Sequence, residues 1–509
     1  MSEEKRLHPI STIISFVKHL KDAVIPLVLL LFLNRGDQDS FLSYMPLIVL
    51  GAFLIVILFL GILKWWRFTY RLEDGELRIE YGLFVKKKRY IPFERIQSLN
   101  YSEGILHRPL KLVKIKVETA GTSSNLESEA ELTAITKEEA NELNSIISKA
   151  KKRMKGQHEE SREEGHALNE GGEQPEDIPE EKILYKMRAK DLIIMATTSG
   201  GVGVVISGVL IFLSQFAEMI PYKAVMNELA EVVEAGVLLT GIVVFFVLLV
   251  AWVIAVVLTF LRYADFTVKL VEKDIVITRG LLEKKQTTIP LNRIQGIRFN
   301  QNIVREPFKY TSVTIESAGG SALEKDSHTI RLLPMIRTKQ ATPILQVILP
   351  DYEWESEFIG APRRSVFRYM FWNLLFVTLA IVPLSYFFYP VGLLSLILYP
   401  FMALLSWMQF RSAGYRLSPN QLTVRFRVLD KQTVFMKRKR IQSLELRQTW
   451  FQKKGKVATV SATIKSYIAG SESSVKHLAV DDVEKVLEWY RPEGQLLEEK
   501  EKVHQQTVE

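Results

Sequence analysis

Three runs of cations are the groups in this sequence best suited to chemistry: Lys86-Lys87-Lys88-Arg89, Lys284-Lys285 and Lys437-Arg438-Lys439. Each precedes or abuts an Arg-Ile-Gln triplet, at Arg95 to Gln97, Arg293 to Gln295 and Arg440 to Gln442. A guanidinium grips a phosphate or carboxylate through two parallel hydrogen bonds, and an ammonium attracts either as a point charge. The chemistry on offer is therefore anion binding, to lipid headgroups or to an acidic partner. A basic strand is equally consistent with a solvated face. For Arg95, Gln97, Arg293, Gln295, Arg440 and Gln442, threefold recurrence is also what a requirement of the fold produces, so they are assigned a structural role.

Little else in the 509 residues could react. The chain has no cysteine, which removes thiol nucleophiles, disulfides and cysteine-based metal sites. None of the eight histidines is spaced with another for metal binding around a glutamate. Gly200-Gly201-Val202-Gly203 misses both phosphate-binding glycine patterns and lies in an apolar run. There Ser199, Gly203 and Ser207 suit close helix packing. No catalytic, metal-binding or cofactor-binding residue is expected, and the chain is read as a non-enzyme.

The elements that must position the cations begin with the apolar runs. A bilayer core of ~30 Å needs about 20 apolar residues as a helix. Runs 41–63, 192–213, 237–260, 366–388 and 390–410 meet this. A sixth, 23–33, is long enough if its helix starts near Ile13, with Lys18 and Lys21 snorkelling to the headgroups. The six pair as three hairpins with turns at 34–40, 214–236 and around Tyr389 and Pro390. Those turns hold only Arg35 and Lys223 as basic residues, whereas the opposite flanks hold Lys64, Arg67, Lys186, Arg188, Arg262, Arg363, Arg364 and Arg411. The positive-inside rule then puts the turns outside and both chain ends inside. Ionisable groups at midplane, the usual mark of a transporter, are missing from the five clear runs. Transport or export by the six helices stays as the alternative reading.

After each hairpin the chain repeats itself. Tyr70, Val268 and Tyr415 each lie 25 residues before the arginine of a triplet. Gly82-Leu83 aligns with Gly280-Leu281, and Ile91-Pro92 with Ile289-Pro290. The third copy has Arg427-Val428 and Met436-Lys437 at those places. Period-two alternation at Phe68, Tyr70 and Leu72, a turn at Asp74-Gly75, and alternation again at Leu77, Ile79 and Tyr81 read as an antiparallel sheet. A polar amphipathic stretch closes each copy, at 137–152, 337–349 and 481–490, the first with capping-box spacing at Thr136 and Glu139.

On these triplets, turns and repeats the chain resembles the bacterial pleckstrin-homology-like (PH-like) domain family, and over nearly its whole length the YdbT-like bacterial membrane proteins with three such domains. The expected fold is six transmembrane helices in three hairpins, each followed by a small mainly-β PH-like domain with a C-terminal helix. The expected boundaries are 10–63, 183–262 and 363–411 for the hairpins and 64–153, 263–352 and 412–491 for the domains. An acidic disordered linker is expected over 154–182 and a charged tail over 492–509. The resemblance implies a multi-pass protein of the bacterial cell membrane, all three domains cytoplasmic, and it supplies no chemical activity. The implied partners are the bilayer, its anionic lipids and other membrane proteins, including a shorter single-repeat homologue in a cell-envelope complex; nucleic acid is not among them. The outer turn 214–236, read as an amphipathic helix, is a further candidate contact in that complex, including for membrane-active peptides.

Overall fold

The structure is a computed structural model that describes residues 4–17, 19–20, 45–119, 130–160, 181–198, 206–207, 237–317, 330–354, 357–387, 389, 391–466 and 470–491. The apolar run 23–33, the expected outer turns 34–40 and 214–236, most of the run 192–213, residues 161–180 of the expected linker and the tail lie outside the described residues. The chain divides into two compact units at Pro290 and Leu291.

Four antiparallel sheets carry the fold. The first holds β1 (Lys5–Arg6), β2 (Thr69–Glu73), β3 (Glu76–Tyr81) and β4 (Lys87–Pro92), in that order. The second is built from β5 (Ile96–Glu103), β6 (Leu112–Thr119), β7 (Ala130–Thr136), β8 (Glu181–Lys186), β9 (Thr267–Val271), β10 (Asp274–Arg279) and β11 (Lys284–Pro290), in the order β7-β6-β5-β11-β10-β9-β8. The third repeats that order one copy later. It is built from β12 (Ile294–Gln301), β13 (Tyr310–Ser317), β14 (Ile330–Arg337), β15 (Ile359–Gly360), β16 (Gly414–Ser418), β17 (Gln421–Arg427) and β18 (Lys431–Lys437). The fourth is β19 (Ile441–Arg447), β20 (Val457–Ile464) and β21 (Ser471–Ala479).

Each copy is thus two half-sheets. The first half-sheet is a short strand before the apolar runs plus three strands after them. The second half-sheet is three more strands, followed by a helix: α2 (Lys137–Glu160), α5 (Thr338–Ile348) or α9 (Val480–Tyr490); a short helix α8 (Trp450–Lys454) lies between β19 and β20, and α1, α3, α4, α6 and α7 are placed below. In the first copy both half-sheets and α2 share one core, with Leu77, Ile91, Ile96, Ile115, Leu132 and Leu143 almost wholly buried. In the third copy Tyr415, Leu422, Val434, Val460, Val475 and Val483 do the same. Thr136 and Glu139 close the capping box at α2: Glu139 N donates to Thr136 Oγ1 at 3.2 Å, and Glu139 Oε2 accepts from Thr136 N at 3.0 Å.

Two local expectations need correcting. Helix α2 runs to Glu160, well into the tract expected to be linker; apart from Gly156 and His158, Lys151 to Glu160 are good helix formers. Strands β1, β8 and β15 precede the apolar runs, where no strand was expected; at two to six residues they are too short for alternation to reveal.

The described apolar helices are α1 (Met45–Trp66), α4 (Val237–Tyr263), α6 (Val366–Phe387) and α7 (Leu398–Ser412), with the shorter α3 (Ala189–Thr197) leading toward the run of hairpin two. Among the described residues three stretches are long and apolar enough to cross a membrane: Gly241–Tyr263, Arg363–Phe387 and Gly392–Ser412. Their large side chains, such as Phe245, Phe246, Phe376 and Phe401, are exposed all round, which water does not tolerate and lipid does. Paired helices are pinned by polar contacts: Trp252 Nε1 donates to Thr197 O at 3.1 Å, and Asn373 Nδ2 donates to Ser406 Oγ at 2.9 Å and Gln409 Oε1 at 2.8 Å.

Candidate membrane-facing site

The Arg-Ile-Gln triplet is a corner. In each copy a one-turn 3₁₀ helix joins the half-sheets, Phe93–Arg95, Leu291–Arg293 and Arg438–Arg440, and the arginine ends it. The isoleucine, Ile96, Ile294 or Ile441, is the first residue of the next strand and is buried. Strand register then slips by one residue across Gln97, Gln295 and Gln442, so each glutamine is the extra residue of a β-bulge. Bulges bend and twist a strand, which is what turning the chain from one half-sheet into the other requires. Arg440 donates to Asn292 O at 2.8 Å, and Gln295 Nε2 to Arg293 O at 3.1 Å. Another repeated corner escaped the sequence reading. Lys111, Lys309 and Lys456 all have left-handed φ between 50° and 57°. Each lies 16 residues after its arginine, a constant spacing that could have revealed it.

The cation runs do not sit at equivalent places. Lys86 to Arg89 and Lys284-Lys285 lie where the third strand of a copy begins, beside the loop before it. Lys437 to Lys439 lie where that strand ends and the 3₁₀ turn starts. A strand of six or seven residues separates the two ends by on the order of 20 Å. The residue aligned with Lys86 and Lys284 is Lys431. Proximity to the triplet concealed this, because Lys437 is near Arg440 in sequence and Lys86 is not near Arg95.

At the distal end Lys437 and Arg438 are held by the fold, whereas Lys439 is exposed. Lys437 Nζ donates to Asp351 O and lies 4.9 Å from the Tyr352 ring, and desolvation pushes its pKa down. Arg438 donates to Arg491 O at 2.7 Å, satisfying a carbonyl just past the end of α9, and lies 5.6 Å from the Trp489 ring. They border a half-open cavity of about 1040 Å³ that Asn292, Tyr352 and Tyr490 also line.

The proximal end is different. The loop between the second and third strands carries exposed apolar side chains in every copy: Phe84 at 95% and Val85 at 68%, Leu281 and Leu282 at 41% and 46%, Val428 and Leu429 at 63% and 56%. Each tip is hydrogen-bonded to the chain at the end of the apolar helix just before the copy. Arg67 donates to Leu83 O, Leu281 N donates to Leu261 O at 2.9 Å, and Gln409 Nε2 donates to Val428 O at 2.9 Å. Gly82 and Gly280 make the tips possible, with φ of +120° and +104°; a Cβ there would lie 2.0 Å from Val85 O and 2.1 Å from Glu283 O. In the third copy Arg427 takes the glycine's place. Its buried guanidinium donates to Ser412 Oγ at 3.1 Å, to Leu429 O at 3.2 Å and to Glu306. Desolvation would raise the Glu306 pKa, but hydrogen bonds from Lys431 and Arg427 outweigh it and hold the carboxyl below its usual range.

Behind the first tip, Lys86 and Lys88 pair with Glu80 at 2.5 and 3.1 Å, and their hydrogen bonds lower the Glu80 pKa. Lys87 and Arg89 are exposed and have no carboxylate partner among the described residues. Arg411, at the end of α7, stacks 5.2 Å from the Trp407 ring.

The model of the bacterial PH domain matches the sequence three times, at residues 23–151, 209–348 and 374–494. The chain belongs to the bacterial PH domain family. Each match takes in residues of an apolar run as well as the sheet region. Among curated proteins the chain is similar to the UPF0699 transmembrane protein YdbT of Bacillus subtilis, 36% identical over 496 residues, covering 96% of this chain and 98% of that one. It is also similar to the UPF0699 transmembrane protein YdbS of the same organism, 31% identical over 86 residues, 17% of this chain and 49% of YdbS. The protein is a YdbT-like membrane protein with an internally repeated PH-like domain.

Proposed function

We propose that this chain is a non-enzymatic scaffold of the bacterial cell membrane. Six helices in three hairpins hold three PH-like units, 64–153, 263–352 and 412–491, against the cytoplasmic leaflet. There they bind anionic headgroups and assemble with other membrane proteins of the envelope, including a shorter single-repeat homologue. The observation that carries the reading is the tip: an exposed apolar pair, a basic residue directly after it or one position on, and a hydrogen bond to the end of the adjacent membrane helix, in all three copies. Such a tip reaches the headgroup region, where each nearby Lys or Arg is worth about 1 kcal/mol on an anionic leaflet.

The strand pairing around the hairpins supports one-sidedness. Lys5 pairs with Tyr70, Tyr185 with Val268, and Ile359 with Tyr415. A chain that leaves a sheet edge and returns to the same edge crosses the membrane an even number of times between. Asn373, polar and inside an apolar helix, spends its amide on Ser406 and Gln409, which supports packing over transport.

The test is photo-crosslinking from the tips. A benzophenone side chain placed at Phe84, Leu282 or Leu429 in native membranes is expected to yield phospholipid adducts at all three positions. Adducts to protein alone would contradict headgroup contact.

A further inference from the structure

The two seven-stranded sheets are each made of halves from successive copies. Strand β5 of the first copy pairs antiparallel with β11 of the second, with Lys284 opposite Glu103 and Gln286 opposite Tyr101. Beyond the ladder, Thr288 N donates to Asn100 Oδ1 at 3.1 Å. Strand β12 of the second copy pairs with β18 of the third over six residues, Gly296 to Gln301 against Met436 to Lys431. A copy therefore links to the next through one rule: the first strand of its second half pairs with the third strand after the next hairpin.

That rule leaves a remainder in the first copy and in the third. The four-stranded sheet ends on β4, and the three-stranded sheet ends on β19. Each is half of a seven-stranded sheet, and among the described residues each lacks the strand that its counterparts have. The other sheet edges, β1, β7, β8, β14, β15 and β21, are edges in every copy and imply nothing. Exposure follows the same division. In β5 and β12, Ser98, Asn100, Gly296 and Ile297 are buried. At the aligned places in β19, Ser443 and Glu445 are exposed and Leu444 is half-buried. In β18, Val434 and Phe435 are buried, whereas Arg89 and Tyr90 of β4 at the same positions are exposed. Unpaired backbone at a sheet edge is a template for another strand.

We propose that β4 and β19 are docking strands for a separate chain that carries a single bacterial PH repeat, joined by the same antiparallel pairing that links the copies here. This rests on the reading that the protein assembles with a shorter homologue and says where. A one-repeat chain has both complementary edges. The first strand of its second half extends β4, and the third strand of its first half extends β19. YdbS, of which the 86 residues matched by this chain make up 49%, shows that shorter relatives exist. A second copy of this chain fits less well. In the transferred register Arg89 would face Glu445 and Lys87 would face Arg447, and Glu445 is already paired with Arg447 at 2.7 Å, so β19 brings no net negative charge to the cations of β4. At the internal junction Glu103 faces the first lysine of β11. The cations of β4 thus favour an edge strand that brings more carboxylates, as basic edge strands do.

The experiment co-expresses the full chain with YdbS as the single-repeat probe and follows two readouts. The first is co-purification from solubilised membranes. The second is disulfide formation: the chain has no native cysteine, so Lys88→Cys and, separately, Leu446→Cys are paired with one cysteine moved along the probe's complementary strand. Lys88 is exposed, and Leu446 is half-buried at the margin of the third copy's core. The expected result is co-purification with disulfide yield peaking at one register position for each edge, at least about tenfold above positions two residues away. Co-purification with no peak at either edge overturns the docking strands and leaves the complex standing. No co-purification overturns the complex itself. Disulfides between Lys88→Cys and Leu446→Cys of two copies of this chain, in preference to the probe, overturn the choice of partner.

Discussion

Replacing Phe84 and Val85 by serine is expected to lift the first tip out of the acyl region while leaving it near the headgroups. Phe84 is 95% exposed to water and Val85 68%, so neither contributes to the core. Fully burying such a side chain is worth about 1.5–3 kcal/mol; scaled by these exposures, the pair contributes about 3 kcal/mol when it enters lipid. At 1.4 kcal/mol per factor of ten, that is on the order of a hundredfold in the ratio of inserted to withdrawn tip. The cations that follow still attract an anionic surface at about 1 kcal/mol each, so withdrawal stops at the headgroups. A nitroxide on a single cysteine at Lys86, in vesicles with anionic lipid, reports this through its relative collision with oxygen and with an aqueous nickel chelate. The double serine variant should shift the collision ratio toward the aqueous reagent, and neutral vesicles should shift it further. An identical ratio in the parent and the variant would refute insertion of the tip.

Two further outcomes follow from the same geometry. Gly280→Ala should cost more than Gly75→Ala in thermal unfolding of the detergent-solubilised protein. Both pay for a left-handed φ, roughly 1–3 kcal/mol, but only at Gly280 does the Cβ meet a backbone oxygen, whereas nothing lies within 4 Å at Gly75. Burial lowers the His477 pKa from 6.5 to about 4, with Lys476 and Arg368 adding to the effect. Above pH 6.5 neither state is protonated and the residue is neutral for stability. Below it the unfolded chain binds a proton that the folded one refuses, so stability falls by up to about 1.36 kcal/mol per pH unit until about pH 4. His477→Asn, which tolerates the left-handed φ of 59°, should flatten the melting temperature between pH 6.5 and 4 relative to the parent.

What the sequence disclosed and what it withheld divide along the range of the interactions. The turn at Asp74-Gly75 has left-handed φ of 54° and 77°, as a tight hairpin requires, and both residue types signal it. The capping box at Thr136 and Glu139 is local, so its spacing was enough to find it. Alternation located β2 and β3, because one face of each is buried. The pairing of β5 with β11 and of β12 with β18 joins strands more than a hundred residues apart, and no periodicity records a strand's partner. The tips at Phe84, Leu282 and Leu429 were hidden for another reason. Two apolar residues in a loop look like strand ends until their exposure and the hydrogen bonds to the membrane helices are seen. The run at Lys437 was misaligned with Lys86 because cation content was matched without register.

The central claim is that three PH-like units stand on one side of the membrane with their tips turned toward it. Single cysteines at Lys137, Lys339 and Asp481, exposed positions in the closing helix of each copy, test it with a membrane-impermeant thiol reagent. All three should stay unlabelled in intact cells and label fully once the membrane is permeabilised. Labelling of any one of them in intact cells would contradict the account.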